Sequence, residues 1–213
     1  MISSSEANEA TKFFTHHWTI TLPTHPPLRY LHTTVSHLDP WFALYSDPAN
    51  HPYDENARST IWDEAAISEW MKTTSQKYID SQSQFGALQM LVEWDGEIVG
   101  GCNFFLLPTY VVNLGMMLGE KARGKGIGKL SMQVMIQLGR RVGIEKMEAR
   151  TVKANKPMQA VMASLKIPGR DEIKEMPGRG VVGDIVYEIP QKVSWEDFDM
   201  RVEFGGLASE PLC

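Results

Sequence analysis

The chain has 213 residues, of which 43% are hydrophobic and 22% are charged, so it contains enough apolar mass for a folded core. Its net charge of −5 argues against a broadly basic nucleic-acid-binding surface. No stretch approaches the roughly 20 apolar residues of a membrane span, and two cysteines predict no disulfide framework. The opening MISSSEANEATKFF lacks the apolar run of a signal peptide. Together these features predict a soluble, cytoplasmic protein.

The N-terminal part of the chain alternates between polar segments and short amphipathic ones. Residues 1–27 are expected to form a loose arm or an irregular first strand, and residues 28–35 to form a strand. Helices are predicted at 39–47 and at about 61–80, with a loop at 46–59. All six histidines lie within the first 51 residues, without the spacing or supporting ligands of a metal site, so no metal is expected.

A hairpin is predicted in the middle of the chain. Two apolar runs at 85–94 and 97–107 are separated by Asp95-Gly96, a dipeptide that accepts the positive φ values of a tight hairpin turn. A third strand is predicted at 111–118. These three segments therefore predict an antiparallel set of strands.

The C-terminal half is predicted to add two helices and three more strands. Apolar residues at helical spacing follow Gly126 and end near Gly143, a strand is expected at 146–152, and a helix capped by Asn155 at 155–165. RDEIKEM and VVGDIVYEI are two further strand candidates.

This order of elements predicts an α+β fold with three layers, α/β/α, in which helices cover a mixed, mostly antiparallel twisted sheet. Residues 28–190 are expected to form the domain, with 1–27 as an N-terminal arm and 191–213 as a tail packed on it.

The stretch EKARGKGIGKL at 120–130 lies between a predicted strand and a predicted helix. The first amides of a helix have no partners within the helix, and glycines allow several of them to converge on one anion. The turn therefore predicts phosphate binding. A dinucleotide fingerprint is disfavoured because its glycines do not have the Gly-x-Gly-x-x-Gly spacing, and a P-loop because Gly126 stands where Ser or Thr would bind Mg²⁺.

The segment from VVNLGMMLGEKARGKGIGKL to KANKPMQAVMASL resembles the core of the GCN5-related N-acetyltransferase (GNAT) superfamily. Arg123, Gly126 and Gly128 match its Arg/Gln-x-x-Gly-x-Gly/Ala motif, and the N-terminal part is similar to ribosomal-protein and small-amine acetyltransferases. The resemblance implies the GNAT fold, acetyl-CoA or coenzyme A as cosubstrate, a pyrophosphate on the turn and a pantetheine arm on the preceding strand. The implied cofactor-binding residues are Met116, Met117, Leu118, Arg123, Gly124, Lys125, Gly126, Ile127, Gly128 and Asn155.

The same resemblance implies direct transfer of an acetyl group to a primary amine, with the amide of Met117 or Leu118 stabilising the oxyanion. The family positions of the general acid are Met158 and Met162, which cannot donate a proton. Glu120 and Glu148 are candidate bases, against the alternatives of a solvated loop acid and an exposed Glu–Arg face. Asn113 is a candidate for lining the acceptor side.

The acceptor is expected to be a small-molecule or peptide amine, and the protein a monomer or homodimer. Acids before the second helix predict either a rim that attracts a cationic amine or an ordinary solvated helix start. The aromatic residues Trp41, Phe42, Tyr45 and Trp62 are interpreted as core or pocket wall. Two rival functions are a catalytically inactive CoA-binding module on the same fold and a nucleotide-phosphate binder that uses GEKARGK.

Overall fold

The computed structural model describes residues 4–81, 88–176, 180–193, 195 and 199–208. Within them, nine strands form one mixed, mostly antiparallel sheet, and the predicted α+β fold is confirmed. The helices are α1 (Ser4–Thr15), α2 (Leu38–Tyr45), α3 (Glu55–Ser59), α4 (Glu64–Ser81), α5 (Ile127–Arg141) and α6 (Lys156–Ser164). The strands are β1 (His16–Thr21), β2 (Leu28–His32), β3 (Gln89–Trp94), β4 (Glu97–Leu106), β5 (Val112–Leu118), β6 (Met147–Val152), β7 (Gly169–Met176), β8 (Gly180–Glu188) and β9 (Arg201–Leu207).

The predicted hairpin is confirmed. Asp95 and Gly96 have φ values of 50° and 81°, the left-handed pair that a two-residue hairpin turn requires. β3 and β4 pair antiparallel on either side of this turn, from Trp94 with Glu97 to Gln89 with Asn103. Residues 85–87 of the predicted strand 85–94 lie outside the described residues, which resume at 88.

Of the two alternatives predicted for residues 1–27, the described part contains an irregular first strand, β1, preceded by a helix, and not a loose arm. α1 leads into β1, which pairs with β2 on one side and with β9 on the other. Phe13 and Trp18 are buried with their ring centroids 5.6 Å apart, so this corner has a packed interior of its own. The division at residues 28 and 190 stays a prediction, and the sheet runs across both positions.

The sheet opens between its two parallel strands. β5 and β6 are neighbours in the strand order, yet they pair only at Val112 with Met147 and at Asn113 with Glu148. Beyond that point β5 stays paired with β4 as far as Leu118, and β6 stays paired with β8 as far as Val152. The two strands therefore diverge into a V whose closed end is the pair Asn113 and Glu148.

The two faces of the sheet are covered by different helices. α5 lies on one face, where Ser131 Oγ is 3.2 Å from the hydroxyl of Tyr30 in β2. α2 lies on the other face, where the ring of Trp41 sits over Gly101 in β4. Because side chains alternate along a strand, odd-numbered residues of β5 share the α2 face. We call this the acceptor face, and the opposite face the α5 face.

Candidate functional site

The glycine turn at the start of α5 has the left-handed backbone that its sequence predicts. Gly124 has a φ of 74°, and Gly126, the N-cap of α5, has a φ of 79°. No heavy atom lies within 4 Å of where a Cβ would stand at either position. The turn therefore needs glycine for its backbone and presents an open surface to a ligand.

The amides of this turn converge without protein partners. The amide of Arg123 donates to the carbonyl of Glu120 at 3.1 Å, and helix bonding resumes where Lys129 donates to Gly126 at 3.0 Å. Between them, the five amides of residues 124–128 donate to no acceptor among the described residues. Unpartnered amides and the positive end of the α5 dipole both favour an anion of phosphate type at this turn.

The cationic side chains of Arg123 and Lys125 both contact other parts of the protein. The Arg123 guanidinium donates through Nε to the carbonyl of Leu118 at 3.2 Å, and through Nη2 to the Ala49 carbonyl at 3.0 Å and to Asn50 Oδ1 at 3.1 Å. Lys125 Nζ lies 5.5 Å from the ring centroid of Trp94. Arg123 thus fastens the turn to the loop after α2, and its charge adds to the site from that position.

The register of β5 decides which backbone groups face the opening. Gly119 donates to the carbonyl of Val99 in β4, whereas Val112 donates to Lys146 on the β6 side. Odd-numbered residues therefore direct their amides at β4, and even-numbered residues direct theirs at the opening. The backbone amides of Met116 and Leu118 therefore face the opening. The amide of Met117 faces β4, which argues against it as an oxyanion donor.

Gly115, a glycine in the middle of β5, marks no bulge in the strand. The register of β4 and β5 is continuous, and Asn103 lies directly opposite Gly115. The Asn103 side-chain oxygen occupies the space that a Cβ of Gly115 would need. The close approach therefore comes from within the protein, and the sheet parts along the opposite edge of β5.

The start of α6 forms the other wall of the opening. Asn155 Oδ1 accepts the amide of Met158 at 3.1 Å, so the predicted cap is confirmed. A Cβ at Gly128 would lie 3.4 Å from Val161, so glycine at this position lets the start of α5 lie close to α6. Met162 is fully buried in the core. The family position for a proton donor is thus used for packing.

The two candidate bases have different surroundings. Glu120 is exposed in the single 3-10 turn after β5. Glu148 is 5% exposed and forms an ion pair with Arg150, which also contacts Glu172. These contacts, led by the hydrogen bond that Arg150 Nε donates to Glu148, raise the pKa of Arg150. The expected Glu–Arg face is present, and its Glu148 end is buried at the closed end of the V.

Two asparagines share the acceptor face with Glu148. Asn113 is the parallel partner of Glu148, and Asn103 lies on β4, one diagonal step from Asn113 and two strands from Glu148. The side-chain oxygens of Asn103 and Asn113 are both buried without a hydrogen-bond partner. An unpaired buried oxygen costs about 1–3 kcal/mol, which makes this the polar end of a site. Sequence reasoning missed Asn103, because only the β4–β5 register reveals it.

A protein-family model described as an acetyltransferase (GNAT) domain matches residues 28–167, about two thirds of the chain. The chain belongs to the GNAT acetyltransferase family. The resemblance is thereby confirmed, and family membership supports acetyl transfer in general as the activity of this GNAT protein. The matched region runs from β2 to the end of α6 and contains the glycine turn, the V and the acceptor face.

Solved structures support the same fold. The microcin C7 self-immunity acetyltransferase, solved with acetyl-CoA and AMP, is 18% identical over 78% of this chain and 92% of its own, with a TM-score of 0.64. The ribosomal-protein-S5-alanine acetyltransferase of Vibrio fischeri is 16% identical over 81% and 96%, with a TM-score of 0.63. RimL, the ribosomal L7/L12 alpha-N-protein acetyltransferase solved with coenzyme A, is 18% identical over 79% and 97%, with a TM-score of 0.62. No curated protein sequence matches the chain.

Among the residues that the structure describes, no helix is long and apolar enough to cross a membrane. None of the histidine, cysteine and acidic side chains in this part of the chain form a group of three that could hold a metal ion.

Proposed function

We propose that this GNAT protein binds acetyl-CoA and transfers its acetyl group directly to the nitrogen of a primary amine. The observation that supports the proposal most strongly is the run of five unpartnered amides at 124–128, placed at the wide end of the V. A diphosphate fits such a cradle because its oxygens accept several hydrogen bonds at once.

The pantetheine arm would lie in the V, between β5 and the start of α6. The Leu114 carbonyl and the backbone groups of Met116 and Leu118 face the opening and are suited to bind the amide groups of an extended arm, as a neighbouring strand would. The carbonyl of Leu118 already accepts Arg123 Nε, so Met116 is the main partner for the arm. The thioester would then reach the closed end of the V, beside Asn113.

The chemistry at the closed end is nucleophilic attack on a thioester. The unprotonated amine forms a C–N bond to the acetyl carbon, the C–S bond breaks, and coenzyme A leaves as a thiolate. Of the two implied oxyanion donors, Met117 directs its amide at β4 and Leu118 lies at the wide end of the V. We therefore assign the oxyanion to the amide of Met116, whose carbonyl remains for the arm. We assign Glu148 to receive the amine proton, directly or through solvent, since it is the buried carboxylate nearest to this end.

The thiolate can leave without an acid at Met158 or Met162. A thiol with a pKa near 8.5 is a fair leaving group, and it takes its proton from solvent or from the protonated base. Glu120 is a weaker candidate base than Glu148 because it is exposed beyond the open end of the V, away from the closed end.

The proposal is tested by titrating the protein with coenzyme A and with ATP·Mg²⁺ in a calorimeter, followed by an acetyl-CoA turnover assay with a panel of primary amines. We expect saturable binding of coenzyme A, none of ATP, and release of free thiol that depends on the amine. Binding without turnover would favour an inactive CoA-binding module, and binding of ATP alone would overturn the assignment.

Replacing Glu148 by Gln tests its role. Because a general base contributes about 10²-fold or more to the rate, we expect kcat of Glu148→Gln to fall by about that factor. The Kd of the variant for coenzyme A is expected to stay the same. The matched control is Glu172→Gln, which breaks the other carboxylate contact of Arg150 away from the V. Equal losses in the two variants would show that Glu148 acts only by holding Arg150.

A further inference from the structure

Five aromatic side chains on the acceptor face lie apart from the hydrophobic core. We call them the aromatic wall: Trp41, Phe42 and Tyr45 of α2, Trp62 of the loop before α4, and Trp70 of α4. All five are partly exposed, and none belongs to the core cluster of buried residues in the described chain. The sequence left open whether such residues are core or pocket wall, and their exposure favours the wall.

The rings of the wall form one connected surface. Phe42 lies 5.2 Å from Trp62 and 5.1 Å from Trp70, measured between ring centroids. Tyr45 lies 5.5 Å from Trp70 and 6.2 Å from Trp41, which extends the surface towards the sheet. Because aromatic rings gain most from full burial, a connected patch of partly exposed rings is suited to a ligand that covers it.

The wall begins next to the opening in the sheet. A Cβ on Gly101 would lie 2.7 Å from the ring of Trp41, so that ring rests directly on β4. Gly101 pairs with Met117 of β5, the strand that borders the V. Asn103, two residues further along β4, lies on the same face. Two residues along a strand span about 7 Å, so a small molecule at the Trp41 end of the wall can extend along β4 towards Asn103 and the closed end of the V.

The chain segment that carries the wall is rich in acids. Residues 36–70 contain one Lys or Arg, Arg58, and seven acidic residues, namely Asp39, Asp47, Asp54, Glu55, Asp63, Glu64 and Glu69. The guanidinium of Arg123 reaches this segment only at Ala49 and Asn50. Such an acidic segment raises the local concentration of cations, and aromatic faces attract an ammonium group further. Both effects favour an organic cation over an anionic acceptor.

We propose that the acceptor of this enzyme is a small primary amine with an aromatic body, whose ring packs on the aromatic wall while its nitrogen points past Trp41 towards Asn103. This inference rests on the proposed function and narrows its substrate class. A polyamine has no apolar body to cover the rings, and a peptide needs partners for its backbone groups that a surface of rings does not offer. Both are outcomes of the test.

The test compares 2-phenylethylamine with ethylamine, spermidine and a short peptide with a free N-terminus, using thiol release from acetyl-CoA. We expect kcat/KM for 2-phenylethylamine to exceed that for ethylamine at least about tenfold, since a buried ring is worth several kcal/mol of apolar contact. Equal or better turnover of ethylamine, spermidine or the peptide would overturn the inference while leaving acetyl transfer intact.

Binding of the amines to the protein loaded with coenzyme A separates this inference from the proposed function. Saturable binding of 2-phenylethylamine but not of ethylamine, with no turnover of either, would support the wall and contradict the transferase proposal. The absence of binding by 2-phenylethylamine would contradict the wall alone.

Variants of the wall give the decisive comparison. Trp62→Leu keeps an apolar side chain but removes a ring, so we expect about a tenfold loss of kcat/KM for 2-phenylethylamine, with ethylamine turnover and the Kd for coenzyme A unchanged. The control is Ile61→Ala, at an adjacent side chain that is 83% exposed. Equal losses for both amines would show that the rings only pack α2 against α4, and the inference would fall.

Discussion

The candidate site has two halves: the cofactor side is formed by backbone groups, and the acceptor face is formed by side chains. On the cofactor side, the ligand surface is backbone: five amides in a turn that two left-handed glycines shape. On the acceptor face, the surface is side chain, with aromatic rings at one end and two unpaired amide oxygens beside a buried carboxylate at the other. A backbone surface tolerates change in its neighbours, whereas a side-chain surface can change its ligand with each substitution. This difference explains how one family scaffold keeps its cosubstrate while its acceptors vary.

The largest effect is expected on the cofactor side, from Gly126→Asp. The new carboxylate would repel an anion that binds to the unpartnered amides of the turn. In addition, a residue with a Cβ is strained at the φ of 79° that Gly126 adopts. We expect the Kd for coenzyme A to rise at least about 100-fold, which corresponds to about 3 kcal/mol. Calorimetric titration measures it.

The control for that variant is Gly143→Asp at the other end of α5. Gly143 also has a positive φ, 84°, and also has open space around it, so it reproduces the backbone strain without the anion site. If both variants lose coenzyme A affinity equally, the effect comes from destabilising α5 and the amide cradle is not the binding site.

The same contrast decides how much of the molecule its sequence could predict. The Asp95-Gly96 turn, the Asn155 cap and the glycine turn at 124–126 are local requirements of the backbone, and the structure has each where the residues demand it. α1 was missed because SSEANEATKFFT has only two large apolar residues, Phe13 and Phe14, and its stabilising contacts come through Phe13 from β1 and β9. Helix signals of that kind depend on tertiary packing.

The acceptor face could not be assembled from the sequence for a similar reason. Asn103 acquires its place from pairing with β5, and the Glu148 carboxylate becomes part of the site only because β6 parts from β5 just beyond it. Arg123 lies in the turn that is predicted to bind phosphate, yet its guanidinium donates a hydrogen bond to Asn50, 73 residues earlier in the chain. Contacts of this range are set by the whole fold, and no local pattern reports them.

Arg123 connects the two halves, so Arg123→Ala should weaken both. The substitution removes hydrogen bonds to the carbonyls of Leu118 and Ala49 and to Asn50 Oδ1, which fix the turn against the loop after α2. We expect about a tenfold loss in coenzyme A affinity and a similar loss in kcat/KM for the amine, in line with about 1–2 kcal/mol for hydrogen bonds to a charged group.

Lys121→Ala is the matched control for Arg123→Ala. It removes a positive charge from the same turn, but its ion pair with Glu97 is exposed at both ends. Exposed ion pairs contribute little, so binding and turnover should stay close to those of the unchanged protein. A loss confined to coenzyme A in Arg123→Ala, with the amine unaffected, would show that the guanidinium serves only the phosphate site.

The smallest effect is expected from Gly101→Ala, which acts on the acceptor face alone. The added methyl group would lie 2.7 Å from the Trp41 ring and would push it away from β4. We expect a several-fold rise in KM for the amine and a Tm lower by a few degrees, with the Kd for coenzyme A unchanged. Gly206→Ala in β9, where a Cβ meets nothing within 4 Å, should change neither quantity. A change in coenzyme A affinity in Gly101→Ala would mean that the ring and the cofactor turn are coupled through β5, and the two halves would then have to be treated as one site.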